Sequence, residues 1–537
     1  MTRNNTPATI LPDTSLSEDL SPFELKDLLI KAASSDSHRL MLNAGRGNPN
    51  FLATLPRRAF LRLGEFALNE SERAYSYLDS GFGGLPQTEG IINRFESFAA
   101  THHDDEGVRF LRAALSYVDD QLGINSADFL AEAVAASLGC NYPVPPRMLN
   151  NSEKIVGAYL RKEMCRDADT GAFSLVATEG GTAAMTYLFQ SMFANELLHP
   201  GDKIAIGTPI FSPYLEIPVL PGFDLEVVDV RMDQNLDWQY PKEELDKLLD
   251  PAVKVFCLVN PSNPPSTKLT DESLKAIATL IREHRPDLFV ITDDVYGTFA
   301  DDFSSLFALA PENTVLVYSF SKFFGATGWR LGTIGIHEDN AIDRAIAALP
   351  EETRDRLQRR YSSLTTDASS LRFIDRLVAD SRAVALNHTA GLSLPQQLQM
   401  TLFALHGLMD RLNRYEDAAK SLIRQRETTL YANIGAPRAF QPEDVDYYTL
   451  VDLQELAGEL YGDEFAAWFA KGDHGRDYLF RLARETGVVL LPGNGFEVVD
   501  ASARVSLANL TDWEYVAIGR ATRTILDEYH EQFTSQG

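Results

Sequence analysis

From residue 172 onward, short apolar runs alternate with amphipathic ones. AFSLVAT (172–178), KIAIGTP (203–209), VKVFCLVNP (253–261), LFVITDD (288–294), NTVLVYSFS (313–321) and LGTIGI (331–336) are nearly continuous in apolar residues. Runs of that length and character are the pattern of strands buried on both faces. TAAMTYLFQSMFANELL and DESLKAIATLIREHR lie between them and repeat apolar positions at helical spacing. The alternation predicts an α/β fold with a large, mostly parallel sheet covered by helices. Near the start, SPFELKDLLIKAAS reads as a capped amphipathic helix, and residues 1 to about 20, rich in Ser, Thr and Pro, read as a mobile arm. Residues 392 to 433 predict long helices, and 437 to 537 a second, smaller α/β unit. The expected division is 1–50, an arm and helix joining the small domain; 51–405, the large domain; and 406–537, the small domain. Segments near 95–135 and 350–390 read as insertions on that plan.

Composition narrows the partners. The chain has 537 residues and a formal net charge of −27, which weighs against nucleic acid or an anionic membrane surface. An acidic protein that takes an anionic small molecule has to build local positive charge from a few arginines and lysines. Cys140, Cys165 and Cys257 are far apart and odd in number, which fits a reducing, cytoplasmic setting better than a disulfide framework. No apolar run reaches the roughly 20 residues that a spanning helix needs, and the polar start is unlike a signal peptide.

Candidate chemistry collects where ligands bind in open α/β sheets, at the carboxyl ends of the strands. AFSLVAT is followed by Glu179-Gly180-Gly181-Thr182 at a helix start, where free N–H groups face an anion. Phe211 follows KIAIGTP and could stack on a flat ring or fill the core. The prolines of NPSNPPST make a rigid turn able to hold Asn263 inward. LFVIT ends in Asp293-Asp294-Val295-Tyr296, and a carboxylate buried there is costly unless it meets a cation. Ser319-Phe320-Ser321-Lys322 closes the next strand, with Arg330 in GWRLG. Alone, Lys322 reads as a carbonyl cap or a solvent-facing side chain. Together, these strand ends suit one ligand: a flat cationic ring bearing a phosphate and an aldehyde, which describes pyridoxal 5′-phosphate. By contrast His102-His103-Asp104-Asp105-Glu106 looks metal-like but reads as a solvated loop, because adjacent ligands rarely converge on one ion.

The Gly181-Thr182 turn, NPSNP, DDVY, SFSK…GWRLG and PGNGFEVVDASARVSLA occur in that order. In this the chain resembles the fold-type I, aspartate aminotransferase-like family of pyridoxal-phosphate enzymes. The resemblance implies that Lys322 carries the cofactor and shuttles protons, and that Asp293 pairs with the ring nitrogen. It implies that Asn263 and Tyr296 bond the ring's phenolic oxygen while Phe211 stacks on its face. Gly181, Thr182, Ser319 and Arg330 would hold the phosphate, and Arg504 the substrate's α-carboxylate. Tyr142, in NYPVPPR, resembles the tyrosine that one subunit lends to its partner's phosphate, so at least a homodimer is implied. Gly180 departs from the family, standing where many relatives carry serine.

The N-terminal extension, both insertions, GRGNPNF and NYPVPPRML most resemble the bacterial aspartate β-decarboxylase branch of the family. That implies conversion of L-aspartate to L-alanine and CO2, with minor aminotransferase activity; an aspartate or aromatic aminotransferase is the alternative. Arg46, in GRGNPNF, is the candidate for the distal carboxylate, with Lys26 as a second choice; a structural salt bridge is the plain alternative for Arg46.

Overall fold

A computed structural model describes residues 22–34, 40–79, 81–382, 390–471, 474–498 and 501–536. The arm expected over residues 1 to 20 lies outside these. A short strand β1 (Leu42–Asn43) precedes the strands of the main sheet: β2 (Phe173–Thr178), β3 (Lys203–Thr208), β4 (Glu226–Arg231), β5 (Val253–Val259), β6 (Phe289–Asp293), β7 (Thr314–Ser319) and β8 (Gly332–His337). Their order across the sheet is β2-β8-β7-β6-β5-β3-β4. β8 runs antiparallel to both neighbours, and the other strands run parallel to one another. The central strands are buried along almost their whole length, as their apolar runs predict. β4 has no counterpart in that pattern. EVVDVR is an edge strand pairing only with β3, so most of it is partly or fully open to solvent and it carries three charged residues.

The region near 95–135 is built into the core rather than looped out. Helices Ile91–Thr101, Glu106–Asp120 and Ser126–Leu138 pack with Thr54–Ala74, and Phe66 meets Phe95 edge-on at 5.2 Å. The metal-like run is consumed there: Asp105 caps the helix from Glu106, accepting from the Val108 N–H at 3.1 Å. Among the described residues no group of His, Cys, Asp and Glu is placed to hold a metal. The second region supplies helices Glu351–Arg360 and Phe373–Arg382. Asp380 of the latter accepts from Ser191 at 2.7 Å and Tyr361 at 2.8 Å, clamping helix Gly181–Ala194, whose first residues lie at the site described below.

Helices Leu394–Met409 and Arg414–Ile434 account for the long helical stretch. The C-terminal part holds β9 (Tyr448–Asp452), β10 (Val488–Val489), β11 (Leu491–Pro492) and β12 (Ser502–Ser506). β12 lies between β11 and β9, both antiparallel to it, and β1 pairs with β10. The segment following the N-terminal helix is thus stitched to the C-terminal unit and leads Gly45, Arg46 and Gly47 over the carboxyl ends of the main sheet. Among the described residues no helix is long and apolar enough to cross a membrane.

Candidate active site

The carboxyl ends of β5, β6 and β7, the first turn of helix Gly181–Ala194 after β2, the segment 45–48 after β1, and residues from β9, β11 and β12 enclose one cavity of about 350 Å³. Register brings the strand ends level: Val259 of β5 lies beside Asp293, Asp293 beside Val317, and Ser319 beside Gly332. The residues that the resemblance assigns to cofactor and α-carboxylate all line this cavity, as does Arg46, except Tyr142, which is exposed on the outside of the chain. Lys26 has no described side chain.

Of the two adjacent aspartates, only Asp293 lines the cavity. The alternating side-chain direction of a strand separates them. Asp294 is fully buried and accepts from the Thr292 hydroxyl at 2.6 Å. Asp293 accepts from the Val295 N–H and from the Tyr214 hydroxyl, each at 3.3 Å. Burial pushes its carboxyl up to about 6, against the pull of these donors and of Lys322. A buried acid in that state lacks a full counter-charge, and a protonated ring nitrogen would supply one.

Lys322 reaches into the cavity and donates to the Gly47 carbonyl at 3.1 Å. At the phosphate end, Gly180 precedes the helix with φ 90 and ψ 172, a conformation open to glycine and strained for other residues. A Cβ there would come within 2.4 Å of the Arg330 guanidinium, so glycine leaves that group room. Arg330, itself at φ 55, donates to the Glu179 carbonyl at 3.2 Å. The Ser319 hydroxyl meets Ser321 at 2.9 Å beside the helix N-terminus. Two hydroxyls, a guanidinium and free helix N–H groups form a donor set for a dianion.

On the other side, β12 presents Arg504, which is 4% exposed. Its guanidinium lies between the Tyr448 ring, 4.1 Å from the centroid, and the Phe496 ring at 4.7 Å. It donates to Asn263 Oδ1 at 3.0 Å and to the Gly45 carbonyl at 3.1 Å, while its Nε–H has no partner among the described residues. A buried, incompletely satisfied guanidinium facing a cavity is a ready carboxylate site. Among the described lining residues, Arg46, Lys322, Arg330 and Arg504 are cations and Asp293 is the sole carboxylate. A chain of net charge −27 has gathered positive charge at one point.

Sequence reasoning missed Tyr214 and Tyr448. Tyr214 sits one turn past Phe211, where nothing distinguishes it from a core tyrosine. Tyr448 lies in an unremarkable strand, 152 residues along the chain from Tyr296, to which it is hydrogen-bonded.

The chain matches the family of aminotransferases class I and II over residues 153–517. It is 58% identical over 520 residues, 97% of this chain and 98% of the other, to the bifunctional aspartate aminotransferase and L-aspartate beta-decarboxylase of a Pseudomonas species. Among solved structures, the aspartate aminotransferase of Rhizobium meliloti superposes with TM-score 0.59 at 16% identity, covering 97% of this chain and 99% of that one. The Thermus thermophilus aspartate aminotransferase with maleate does so with TM-score 0.56 at 16% identity, over 96% and 100%. These two likenesses concern the fold. The donor set, the acid and the lysine in one cavity suit the cofactor of that family; the chain belongs to the aminotransferases of class I and II, fold-type I enzymes that work with pyridoxal 5′-phosphate.

Proposed function

We propose that this protein removes the β-carboxylate of L-aspartate, giving L-alanine and CO2, with transamination as a minor second activity. The observation that carries the reading is the cavity's charge: four cations against one carboxylate among the described lining residues. With Lys322 taken by the cofactor, Arg330 by its phosphate and Arg504 by the α-carboxylate, Arg46 is left over. It suits a substrate with a second carboxylate, and the 58% identical Pseudomonas protein bears both activities in its name.

When bound, the cofactor supplies the electron sink that makes loss of the α-proton and of CO2 feasible. The chain's residues do the rest. Lys322 holds the cofactor through its amine and, once the substrate's amine takes that place, moves a proton at the substrate's α-carbon. Asp293 keeps the ring nitrogen protonated; Asn263 and Tyr296 bond the ring's phenolic oxygen, and Phe211 covers its face. Gly181, Thr182, Ser319 and Arg330 hold the phosphate. Arg504 takes the α-carboxylate by its planar fork. Arg46, exposed on the segment that crosses the cavity, faces the distal carboxylate without burying it, so that CO2 can leave.

The enzyme works as a homodimer at least, with Tyr142 of each subunit completing its partner's phosphate site. Its exposure and its position outside the single-chain cavity support that reading. Within residues 1–50, the described strand β1 joins 406–537 as a small domain beside 51–405, in keeping with the β1–β10 pairing. Three unpaired cysteines, one of them exposed, fit a cytoplasmic setting.

The test is to incubate purified protein with L-aspartate and pyridoxal phosphate, without any 2-oxo acid. Alanine and CO2 in equal amounts are expected, and Lys322→Ala should lose both turnover and the cofactor's visible absorption. Oxaloacetate as the main product, formed only when a 2-oxo acid is added, would make the protein an aminotransferase instead.

A further inference from the structure

Tyr448 lines the cavity but has no part in the roles assigned so far. β9 carries it in from the C-terminal unit, opposite Ser506 of β12, and it is 3% exposed. Its backbone N–H donates to the Ser266 hydroxyl at 3.2 Å, which fixes the start of the strand against the NPPST turn. Its own hydroxyl accepts from the Tyr296 hydroxyl at 3.0 Å. A Cβ built on Gly47 would stand 2.5 Å from that oxygen and 3.0 Å from the Lys322 amine, so both groups crowd the same spot above the N-terminal segment. The ring, meanwhile, forms one face of the Arg504 slot.

We propose that Tyr448 is a further positioning residue of the active centre with two separable duties: its hydroxyl holds a proton between Tyr296 and Lys322, and its ring orients Arg504. The proposal rests on Lys322 being the seat of the cofactor. The charged and titratable groups facing Tyr448 are Tyr296 and Tyr447 from adjoining segments, Lys322 from the loop after β7, and Arg504 from β12. Burial raises its phenol, but the Lys322 ammonium, the Arg504 guanidinium and the hydrogen bond from Tyr296 together hold it below its ordinary value. Burial and the neighbouring Tyr448 oxygen push Tyr296 well above its own. The pair is therefore asymmetric. Tyr296 keeps its proton and donates it, which leaves the Tyr448 oxygen as the acceptor turned toward the lysine.

Two variants divide the duties. Tyr448→Phe removes the oxygen and keeps the ring under Arg504; Tyr448→Leu removes both. Each cofactor-loaded protein is titrated by the visible absorption of the cofactor at Lys322, and its dissociation constant for maleate, an unreactive dicarboxylate, is measured at fixed pH. Loss of an acceptor beside the lysine nitrogen disfavours its protonated form. The absorption midpoint should therefore fall by about one pH unit in both variants. Maleate binding should stay within about twofold of wild type in Tyr448→Phe and weaken about tenfold in Tyr448→Leu, which lacks the cation–π face. An unmoved midpoint in Tyr448→Phe overturns the hydroxyl's role, whatever the leucine variant does. Unchanged maleate binding in a folded Tyr448→Leu overturns the ring's role. A wild-type protein whose cofactor absorption does not depend on Lys322 overturns the function proposed above and this inference with it, an outcome read before any Tyr448 variant is compared.

Discussion

The guanidinium of Arg504 donates to Asn263 Oδ1 at 3.0 Å, joining a strand of the C-terminal unit to the turn after β5 of the main sheet. The group assigned to the substrate's carboxylate and a group assigned to the cofactor's ring are thus hydrogen-bonded to each other. A displacement of either side chain would therefore be felt by the other. The contact crosses 241 residues of sequence.

A double-mutant cycle reads this coupling. Asn263→Ala should lower kcat/KM for aspartate about tenfold, through lost orientation of Arg504 as well as through the ring contact. Arg504→Lys should lower it about a hundredfold, because an ammonium replaces a planar fork. The double variant should fall short of the sum by more than about 0.5 kcal/mol. Strict additivity would show that the contact has no functional weight.

Asp293 gives a pH-dependent stability effect with a definite sign. Its carboxyl in the folded, cofactor-free protein lies at about 6, above an ordinary aspartate. A raised carboxyl penalises the ionised form when folded, so the protein binds more protons folded than unfolded and this group costs stability as pH rises from about 4 to 6. Asp293→Asn should accordingly stabilise the cofactor-free protein by up to about 3 kcal/mol at pH 8 and by little at pH 4, while abolishing turnover. Denaturant unfolding at the two pH values checks it; equal stabilisation at both would refute the assignment.

Gly180→Ala tests the phosphate end. The added methyl meets the Arg330 guanidinium at 2.4 Å, on a backbone at φ 90 that disfavours any side chain. Strain of about 1–3 kcal/mol and a displaced Arg330 should weaken cofactor binding about tenfold or more, seen by titrating cofactor-free protein with pyridoxal phosphate. Gly328→Ala is the control, since a Cβ there meets nothing within 4 Å.

Arg46 separates distal from proximal recognition. Arg46→Ala should raise KM for aspartate about tenfold while changing that for alanine, which has no second carboxylate, less than about twofold. Equal effects on both amino acids would return Arg46 to a structural role.

The sequence by itself determined the main sheet, the cavity's place at its strand ends, and most of its lining. Strands buried on both faces must be apolar along their whole length, and the turns that follow them carry Gly, Pro, Asp and Lys that no core would choose. The half-exposed β4 was illegible for the opposite reason, since an edge strand needs no such run. Where the helices near 95–135 pack was not legible either; their buried phenylalanines place them in the core. Only the tertiary structure decided that Tyr214 supports Asp293 and that Tyr448 sits between Tyr296, Lys322 and Arg504. Those facts depend on strand register and on the docking of β9 and β12 over the main sheet. A contact between residues far apart in the chain leaves no local pattern, because each partner's neighbours are chosen by its own strand and not by the residue it will meet.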